Sequence, residues 1–258
     1  MERKLGLLEP AANFVKATRT WETDNKPLWT DAQIRDVIQD KKRTTSRELF
    51  DSHWIKEGDQ QDKGSCNGWA TASVLSKTRW KQGVRDGIVL SGSYVYSWIN
   101  GGQDNGSPLD QDIKELTTHG TCPKSMCGPQ MIFRNQTKQF DVEAAKYKGL
   151  NFLPIDTIQG LKTAVAMGFL VVVAVQVGPH FNKLNSQGIL TPDSGNGNHA
   201  VHVDDMIVIN DKIYFDLVNN WNVTWGQDGR AYVPEEMFTR TIQVHQFWAL
   251  MSNLEALS

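Results

Sequence analysis

Apolar side chains in the first half of the chain recur three and four positions apart, which is the spacing of amphipathic helices. The pattern predicts four helices, over residues 31–40, 66–81, 91–98 and 110–119. We expect Asp31 to cap the first helix and Ser91 the third, because side-chain oxygens of these residue types accept hydrogen bonds from the free N–H groups at a helix start. Gly120 marks the end of the fourth helix. The chain is therefore predicted to be mainly helical up to about residue 125.

The second half of the chain changes to β-branched runs. Residues 169–177 are predicted to form a buried central strand, because valine dominates the run. A helix is predicted over 160–167, a polar loop over 191–198, and strands over 199–209, 212–219, 230–234 and 243–251. Asn210 and Asp211 supply the turn of a hairpin between two of these strands. A helical half followed by a β-rich half predicts an α+β fold.

The N-terminal region combines charged residues, prolines and a polar run. We predict that residues 1–45 are an extension and that residues 46–258 form the folded domain, with a helical part over about 59–125 and a β-rich part over about 150–251. A docking arm or a partly ordered tail is the favoured interpretation of the extension, and a protein-assembly contact through residues 1–45 is a candidate role for it. An inhibitory segment is the alternative, although the extension is short for one.

Composition narrows the class of protein. The chain has 258 residues, of which 40% are hydrophobic and 22% charged, as in ordinary globular proteins. Its net charge of −2, with both signs interspersed, argues against a nucleic-acid partner. The longest apolar run, residues 168–175, is too short to cross a membrane. Three cysteines favour a reducing compartment, and the N-terminus lacks the apolar core of a signal peptide, so we expect a cytoplasmic or virion-associated protein.

The candidate chemistry begins at Cys66, which follows Gly64 and Ser65 and lies at the start of a predicted helix. Free N–H groups and the positive end of the helix dipole at that position favour a thiolate over a thiol. Gln60, six positions upstream, can return a side-chain amide to the same place. A thiolate beside a hydrogen-bond donor is the beginning of an acyl-transfer site. A small buried cysteine without a chemical role is the alternative.

Partners for this cysteine are found in the second half of the chain. His199 lies at the start of a predicted strand, and His202, three residues on, is expected on the opposite face of that strand. Asn219 ends a later strand and can accept a hydrogen bond from an imidazole N–H group. Trp221 beside it would keep water away from that bond. A structural histidine, a turn asparagine and a core tryptophan are the alternatives.

A zinc site is a further candidate, because Cys122, Cys127 and His119 lie close together in the sequence. Thiolate and imidazole ligands suit zinc, but this set lacks a fourth ligand. We therefore predict that these cysteines are structural and expect neither a metal nor another cofactor.

From about residue 46 to residue 251 the chain resembles the papain-like (C1) cysteine peptidases, and especially their microbial branch. The matching segments, in order, are Asp59-Gln60 with Gly64-Ser65-Cys66, Leu90-Ser91, Gly120-Thr121-Cys122-Pro123-Lys124, Asn198-His199-Ala200-Val201, and Asn219-Asn220-Trp221 with Trp225-Gly226. His199 and Asn219 follow Cys66 by roughly 130 and 150 positions, as they do in these enzymes. Five ordered matches over most of the chain make the resemblance specific.

The resemblance implies a two-lobed fold with the active site in the cleft between the lobes, and hydrolysis of peptide bonds in a peptide or protein substrate. It implies Cys66 as the nucleophile, His199 as its acid–base partner and Asn219, screened by Trp221, as the residue that orients the imidazole. Gln60 is implied as an oxyanion donor, together with the Cys66 backbone N–H group. A thiolate–imidazolium pair is the implied resting state.

Several positions depart from the family pattern. Asn67 stands where better-known members have tryptophan after the nucleophile, and Lys63 replaces a disulfide cysteine. Asn220 and Asn222 replace a serine and a glycine, and the spacing of Tyr232 differs. An inactive papain-like scaffold in a larger assembly such as a virion is therefore an alternative. A cell-wall amidase is a third reading, which the long separation between cysteine and histidine disfavours.

Overall fold

The computed structural model describes residues 3–10, 14–132, 134, 138–149, 151–192, 197–239 and 244–251. Most helices lie in the first half of the chain and most strands in the second half, as predicted. The helices are α1 (Asp31–Ile38), α2 (Ser46–Leu49), α3 (Ser52–Glu57), α4 (Cys66–Lys81), α5 (Gly92–Ser97), α6 (Leu109–Thr118), α7 (Asp141–Ala144) and α8 (Ile158–Ala166). The strands are β1 (Leu7–Leu8), β2 (Ser107–Pro108), β3 (Phe152–Ile155), β4 (Val171–Val177), β5 (Gly197–Ile209), β6 (Lys212–Val218), β7 (Arg230–Val233) and β8 (Phe247–Leu250). Short 3-10 turns cover Lys138–Phe140 and Glu235–Phe238.

A six-stranded antiparallel sheet, in the order β3-β8-β4-β5-β6-β7, forms the centre of the second half. Successive side chains of β4 point to opposite faces. Val173 packs in one hydrophobic cluster with α8, whereas Val172 and Ala174 pack in another with α4 and α6. The α+β class and the buried central strand are therefore confirmed.

Part of the N-terminal region belongs to the core. Trp21 and Ile34 are fully buried in the same hydrophobic cluster as Val173 and Phe215. The Trp21 ring donates a hydrogen bond from Nε1 to the Pro27 carbonyl at 2.8 Å. The apolar side chains of Trp21 and Ile34 therefore pack this part of the N-terminal region against the sheet.

The helix starts show how local side chains set the boundaries. Thr30 caps α1, because its hydroxyl accepts from the Gln33 N–H group at 3.3 Å and the Gln33 side chain returns a bond to the Thr30 backbone. The prediction of Asp31 as the cap is wrong for that reason. Ser91 caps α5 as predicted, accepting from the Tyr94 N–H group at 3.1 Å.

The predicted elements of the second half are present with shifted ends. The predicted hairpin turn is confirmed at Asn210 and Asp211, which have φ of 49° and 60°. The last strand begins at Phe247, and the predicted start at residue 243 lies outside the described residues, as do residues 193–196 of the predicted loop. Strand β3, helices α2 and α3 and the β1–β2 pair were not predicted, since each is too short to show a period.

A cluster of buried charges joins α4 to the sheet. Lys77 on α4 lies 2.8 Å from the Asp204 carboxylate, and both side chains are fully buried. Arg230 completes the cluster by pairing with Asp204 at 2.9 Å and with Asp216 at 3.1 Å. Burial lowers the pKa of Lys77 to about 8, although the nearby Asp204 carboxylate acts to raise it.

The histidines of β5 point in different directions. His202 lies 2.9 Å from Lys77 Nζ, so it faces α4, whereas His199 faces Trp221. The two histidine side chains therefore lie in different surroundings, as predicted.

Lys77→Met tests this cluster. The substitution should lower the free energy of unfolding by about 3–5 kcal/mol, because it removes one cation from a buried set of carboxylates. Urea unfolding measures the change. Lys146→Met is the matched control, since Lys146 is an exposed lysine paired with Glu143, and it should leave the midpoint unchanged. Equal midpoints for the two variants would contradict the assigned importance of the buried cluster.

Candidate active site

Cys66 is the first residue of α4 and is fully buried. Its Sγ atom lies 3.8 Å from Asn67 Oδ1, and the backbone groups of Gly6 and Ala200 face the sulfur. Burial raises the pKa of the Cys66 thiol to about 11, although the Ala200 and Gly6 backbone groups act to lower it. The helix start therefore does not yield the predicted thiolate in this structure, because desolvation outweighs the local dipoles.

His199 lies at the start of β5, with Asn219 and two aromatic rings around it. Its Nε2 atom is 2.8 Å from Asn219 Oδ1. The Trp221 ring stacks on the imidazole at a centroid distance of 4.6 Å, and Phe181 meets it edge-on at 6.1 Å. These contacts fix the plane of the imidazole and shield its bond to Asn219.

The imidazole is neutral at pH 7 in this arrangement. Burial lowers the pKa of His199 to about 4, while the Asn219 bond opposes the shift and the positive charge of Arg3 adds to it. Within the described part of the chain, His199 Nδ1 has no hydrogen-bond partner. The structure thus holds a neutral imidazole and a neutral Cys66 thiol, whereas the resemblance implies an ion pair.

Asn220 connects the part of the site on α4 with the part on β5. Its Nδ2 atom donates to the Cys66 carbonyl at 3.0 Å and to the Ala200 carbonyl at 3.3 Å. The backbone carbonyl of Asn220 accepts from the Gln60 backbone N–H group at 3.0 Å. From the sequence, Asn220 was identified only as a departure from the family pattern. Its position directly after Asn219 was the one indication that it lies in the site. This single side chain brings the start of α4 next to β5.

The N-terminal segment of residues 3–9, here called the arm, lies in the cleft over Cys66. Gln60 Nε2 donates to the Lys4 carbonyl at 3.1 Å and to the Lys63 carbonyl at 2.6 Å. Strand β1 of the arm pairs in parallel with β2, and the Ser107 N–H group donates to the Gly6 carbonyl at 2.8 Å. The predicted oxyanion donor is therefore engaged with a peptide carbonyl of the chain itself.

Ionic contacts anchor the first residues of the arm. Arg3 pairs with Asp59 at 2.5 Å and also donates to the Trp221 carbonyl at 2.8 Å. Lys4 pairs with Asp104 at 3.1 Å. Between these anchors and β1, Gly6 packs so closely on Gly64 that a Cβ atom at Gly6 would overlap the Gly64 carbonyl. No sequence pattern marked this contact.

Comparison with known proteins identifies the family of the chain. The sequence profile of the papain family of cysteine proteases matches residues 36–244. The chain belongs to the papain family. Comparison with characterised protein sequences gave no significant match.

Solved structures with the same fold come from distant organisms. Xylellain, a cysteine protease from Xylella fastidiosa, has 23% sequence identity and a TM-score of 0.63, over 76% of this chain and 82% of that one. Procathepsin B S9 from Trypanosoma congolense has 20% identity and a TM-score of 0.61, over 90% and 85%. Procathepsin L 3 from the Tenebrio molitor larval midgut has 17% identity and a TM-score of 0.60, over 76% and 66%. At these identities the likeness concerns the fold.

Two departures from the papain-family pattern have structural roles. Asn222 replaces a glycine, and its φ of 73° lies in the left-handed region that asparagine tolerates better than most residues. Its side chain donates to the Asp59 carboxylate at 3.1 Å. Asn67 donates from Nδ2 to the Ser107 carbonyl and is fully buried.

The cysteines considered for zinc have other contacts. Cys122 and Cys127 are buried and hydrogen-bond each other. His119 stacks on Trp98 at 3.7 Å and lies 3.3 Å from the Glu115 carboxylate. Among the residues that the structure describes, no group of three metal-ligating side chains occurs, and none of the described helices is long and apolar enough to cross a membrane.

The protonation state of the closed cleft can be tested by alkylation. At pH 7, iodoacetamide should modify Cys66 at least about a hundredfold more slowly than it does in urea-unfolded chain, because a thiol with a pKa of about 11 has little thiolate and is covered. The rate should rise with pH towards 11. Peptide mapping separates Cys66 from Cys122 and Cys127. Rapid labelling of Cys66 at pH 6 would contradict the neutral pair.

Proposed function

We propose that the chain is a papain-family endopeptidase that the arm holds latent, with Cys66, His199 and Asn219 as its triad and Gln60 as its oxyanion donor. The observation that carries the proposal is the hydrogen bond from Gln60 Nε2 to the Lys4 carbonyl beside the buried sulfur. A site that binds a peptide carbonyl at that point is suited to binding the carbonyl of a scissile bond. Residues 46–258 are the proposed catalytic domain, with a helical lobe over about 59–125 and a β lobe over about 150–251.

The proposed reaction is acyl transfer through a thioester. Cys66 Sγ attacks the substrate carbonyl carbon, and its proton passes to His199 Nδ1. The negative charge that develops on the carbonyl oxygen is stabilised by Gln60 Nε2 and the Cys66 N–H group. His199 then protonates the leaving amine, and water hydrolyses the thioester with His199 as general base.

Asn219 and Trp221 act on the histidine in this scheme. Because Asn219 Oδ1 accepts the 2.8 Å hydrogen bond, neutral His199 carries its proton on Nε2, which leaves Nδ1 free to accept a proton. Trp221 covers that bond. This tautomer is the one that the attack by Cys66 requires.

Latency follows from where the arm lies. Gly6 and Lys4 occupy the surroundings of the sulfur and of Gln60, so a substrate carbonyl cannot enter while the arm is in place. The names of two similar structures, both procathepsins, are consistent with this arrangement. In the proposed mechanism, displacement of the arm readmits water and substrate and lets Cys66 and His199 form their ion pair.

The inactive-scaffold alternative makes a different use of the N-terminal region. An arm for assembly would reach outward, whereas Leu7 and Leu8 of the arm pair with β2 and Lys4 accepts a hydrogen bond from Gln60. The bond between His199 and Asn219 also has no evident use in a scaffold. Both observations favour a regulated peptidase.

Gly6→Ala should activate the protein. The added methyl group overlaps the Gly64 carbonyl and displaces the arm, so hydrolysis of a fluorogenic peptide library should rise at least about tenfold. Because residues 21 and 34 remain in the core, the fold should persist, as circular dichroism can verify.

Two control variants test whether the activation by Gly6→Ala is specific to that position and depends on Cys66. Leu8→Ala alters an exposed side chain of the same arm and should behave like the parent chain. Cys66→Ala in the Gly6→Ala background should abolish hydrolysis. Activity that survives this second change, or a Gly6→Ala protein that is folded, open and inactive, would overturn the proposed function.

A further inference from the structure

The side chain of Arg3 ends in a set of acceptors that the proposed mechanism does not use. Its Nη1 atom donates to Asp59 Oδ1 at 2.5 Å and to the Gln61 backbone carbonyl at 2.9 Å. Its Nη2 atom donates to the Trp221 backbone carbonyl at 2.8 Å and to Asp59 Oδ2 at 3.4 Å. Each terminal nitrogen therefore contacts one carboxylate oxygen and one carbonyl. The Asp59 carboxylate and the carbonyls of Gln61 and Trp221 are here called the acceptor pocket.

The acceptor pocket is built by residues outside the arm. Asp59 accepts from the Gln61 N–H group at 2.9 Å and from Asn222 Nδ2 at 3.1 Å. Gln61 and Asn222 have φ of 58° and 73°, in the left-handed region that such residues adopt only where their surroundings stabilise it. The Asp59 side chain is 13% exposed, and its ion-pair partner within the described ranges is Arg3. Departure of the arm therefore leaves a largely buried carboxylate without its cation.

The shape of the acceptor pocket suits a guanidinium group. The two Asp59 oxygens lie between two carbonyls, and the planar fork of a guanidinium matches such an edge with two donors on each side. A lysine ammonium is a single compact charge and cannot match the same edge. Citrulline has nearly the shape of arginine but no charge, and its urea oxygen would face an acceptor. The pocket should therefore distinguish arginine from citrulline.

The acceptor pocket lies on the side of the site where the leaving amine is expected. The Trp221 ring stacks on His199 at 4.6 Å, while its backbone carbonyl accepts from Arg3. The charge of Arg3 also acts on the His199 imidazole. In the proposed mechanism His199 protonates the leaving amine. A side chain in the pocket therefore belongs to the part of the substrate that follows the scissile bond.

We propose that the acceptor pocket is a substrate subsite for arginine, with Asp59 as the specificity-determining residue. The substrates are then peptides that carry arginine shortly after the scissile bond. The proposal rests on the proposed peptidase function. In the latent state Arg3 fills the place of the substrate arginine. Asn222, which stands where the family pattern has glycine, is a positioning residue for the Asp59 carboxylate.

The first test is a cleavage profile of the Arg3→Ala/Gly6→Ala protein, in which the arm is displaced and brings no arginine of its own to the pocket. Mass spectrometry identifies the bonds cleaved in a peptide library. Arginine should be enriched just after the cleaved bond. For the best sequence, kcat/KM should be at least about tenfold higher than for its citrulline analogue. Absence of a preference, or arginine enriched only before the bond, would overturn the proposal.

Two substitutions in this protein test the role of Asp59. Asp59→Asn should bring the arginine-to-citrulline ratio of kcat/KM down to about one, because the charge that selects guanidinium is lost. An asparagine at this position keeps an acceptor for the Gln61 N–H group, and circular dichroism verifies the fold. Asp62→Asn is the matched control, since Asp62 is a more exposed carboxylate of the same loop and contacts Gln130. An unchanged ratio in folded Asp59→Asn would contradict the assignment.

A binding measurement separates the subsite from the peptidase function. A fluorescent peptide with the sequence of residues 3–9 is titrated with the Arg3→Ala/Gly6→Ala protein that also carries Cys66→Ala, and fluorescence anisotropy gives Kd. Citrulline in place of the peptide arginine should weaken binding at least about tenfold, and Asp59→Asn should remove this difference. Equal affinities of the two peptides would overturn the subsite. If the Arg3→Ala/Gly6→Ala protein with Cys66 intact hydrolyses no peptide, the proposed function fails, and the binding result still decides the pocket.

Discussion

Exclusion of water from Cys66 is the constraint on which the state of the whole site depends. The sulfur is enclosed by Gly6, Ala200 and Asn67, so no charge can form on it at neutral pH. His199 is buried in the same way and is neutral, and its proton acceptor Nδ1 faces no partner among the described residues. Within the described ranges, the groups that act most on Cys66 include no cation, and those that act most on His199 include no anion. Admission of water, or of a substrate carbonyl, changes both groups together.

The contacts that keep this site closed differ from the contacts that stabilise the fold. The sheet, α4 and α8 are joined by apolar clusters and by the buried charges around Lys77 and Asp204. The arm is held by one short strand pair, by the buried side chain of Leu7 and by partly exposed ion pairs such as Arg3 with Asp59. Partly exposed pairs contribute modestly to stability. The proposed latency requires that the arm leave the cleft at a free-energy cost smaller than that of unfolding.

The sequence predicted those features that rest on periodicity or on a local motif. The extent of α4, the Ser91 cap and the central strand all follow from spacing and side-chain type, and the structure contains them. The nucleophile motif and the later histidine and asparagine were grouped by resemblance, and the structure places Asn219 on His199 at 2.8 Å. The position of the arm was not predictable, because its contact is a glycine backbone against Gly64 with no side-chain pattern. Burial of the Asp112 carboxyl group was not predictable either, because it depends on tertiary packing and not on helical spacing.

Cys66 is proposed to be a competent nucleophile that residues 3–9 hold neutral. The decisive measurement is the rate at which a peptidyl epoxide modifies the protein covalently, followed by intact mass and peptide mapping in the parent chain and in Gly6→Ala. We expect slow modification of the parent and rapid modification of Gly6→Ala, with one equivalent bound, on Cys66 and not on Cys122 or Cys127. Equal rates in the two proteins, or modification at another cysteine, would contradict it.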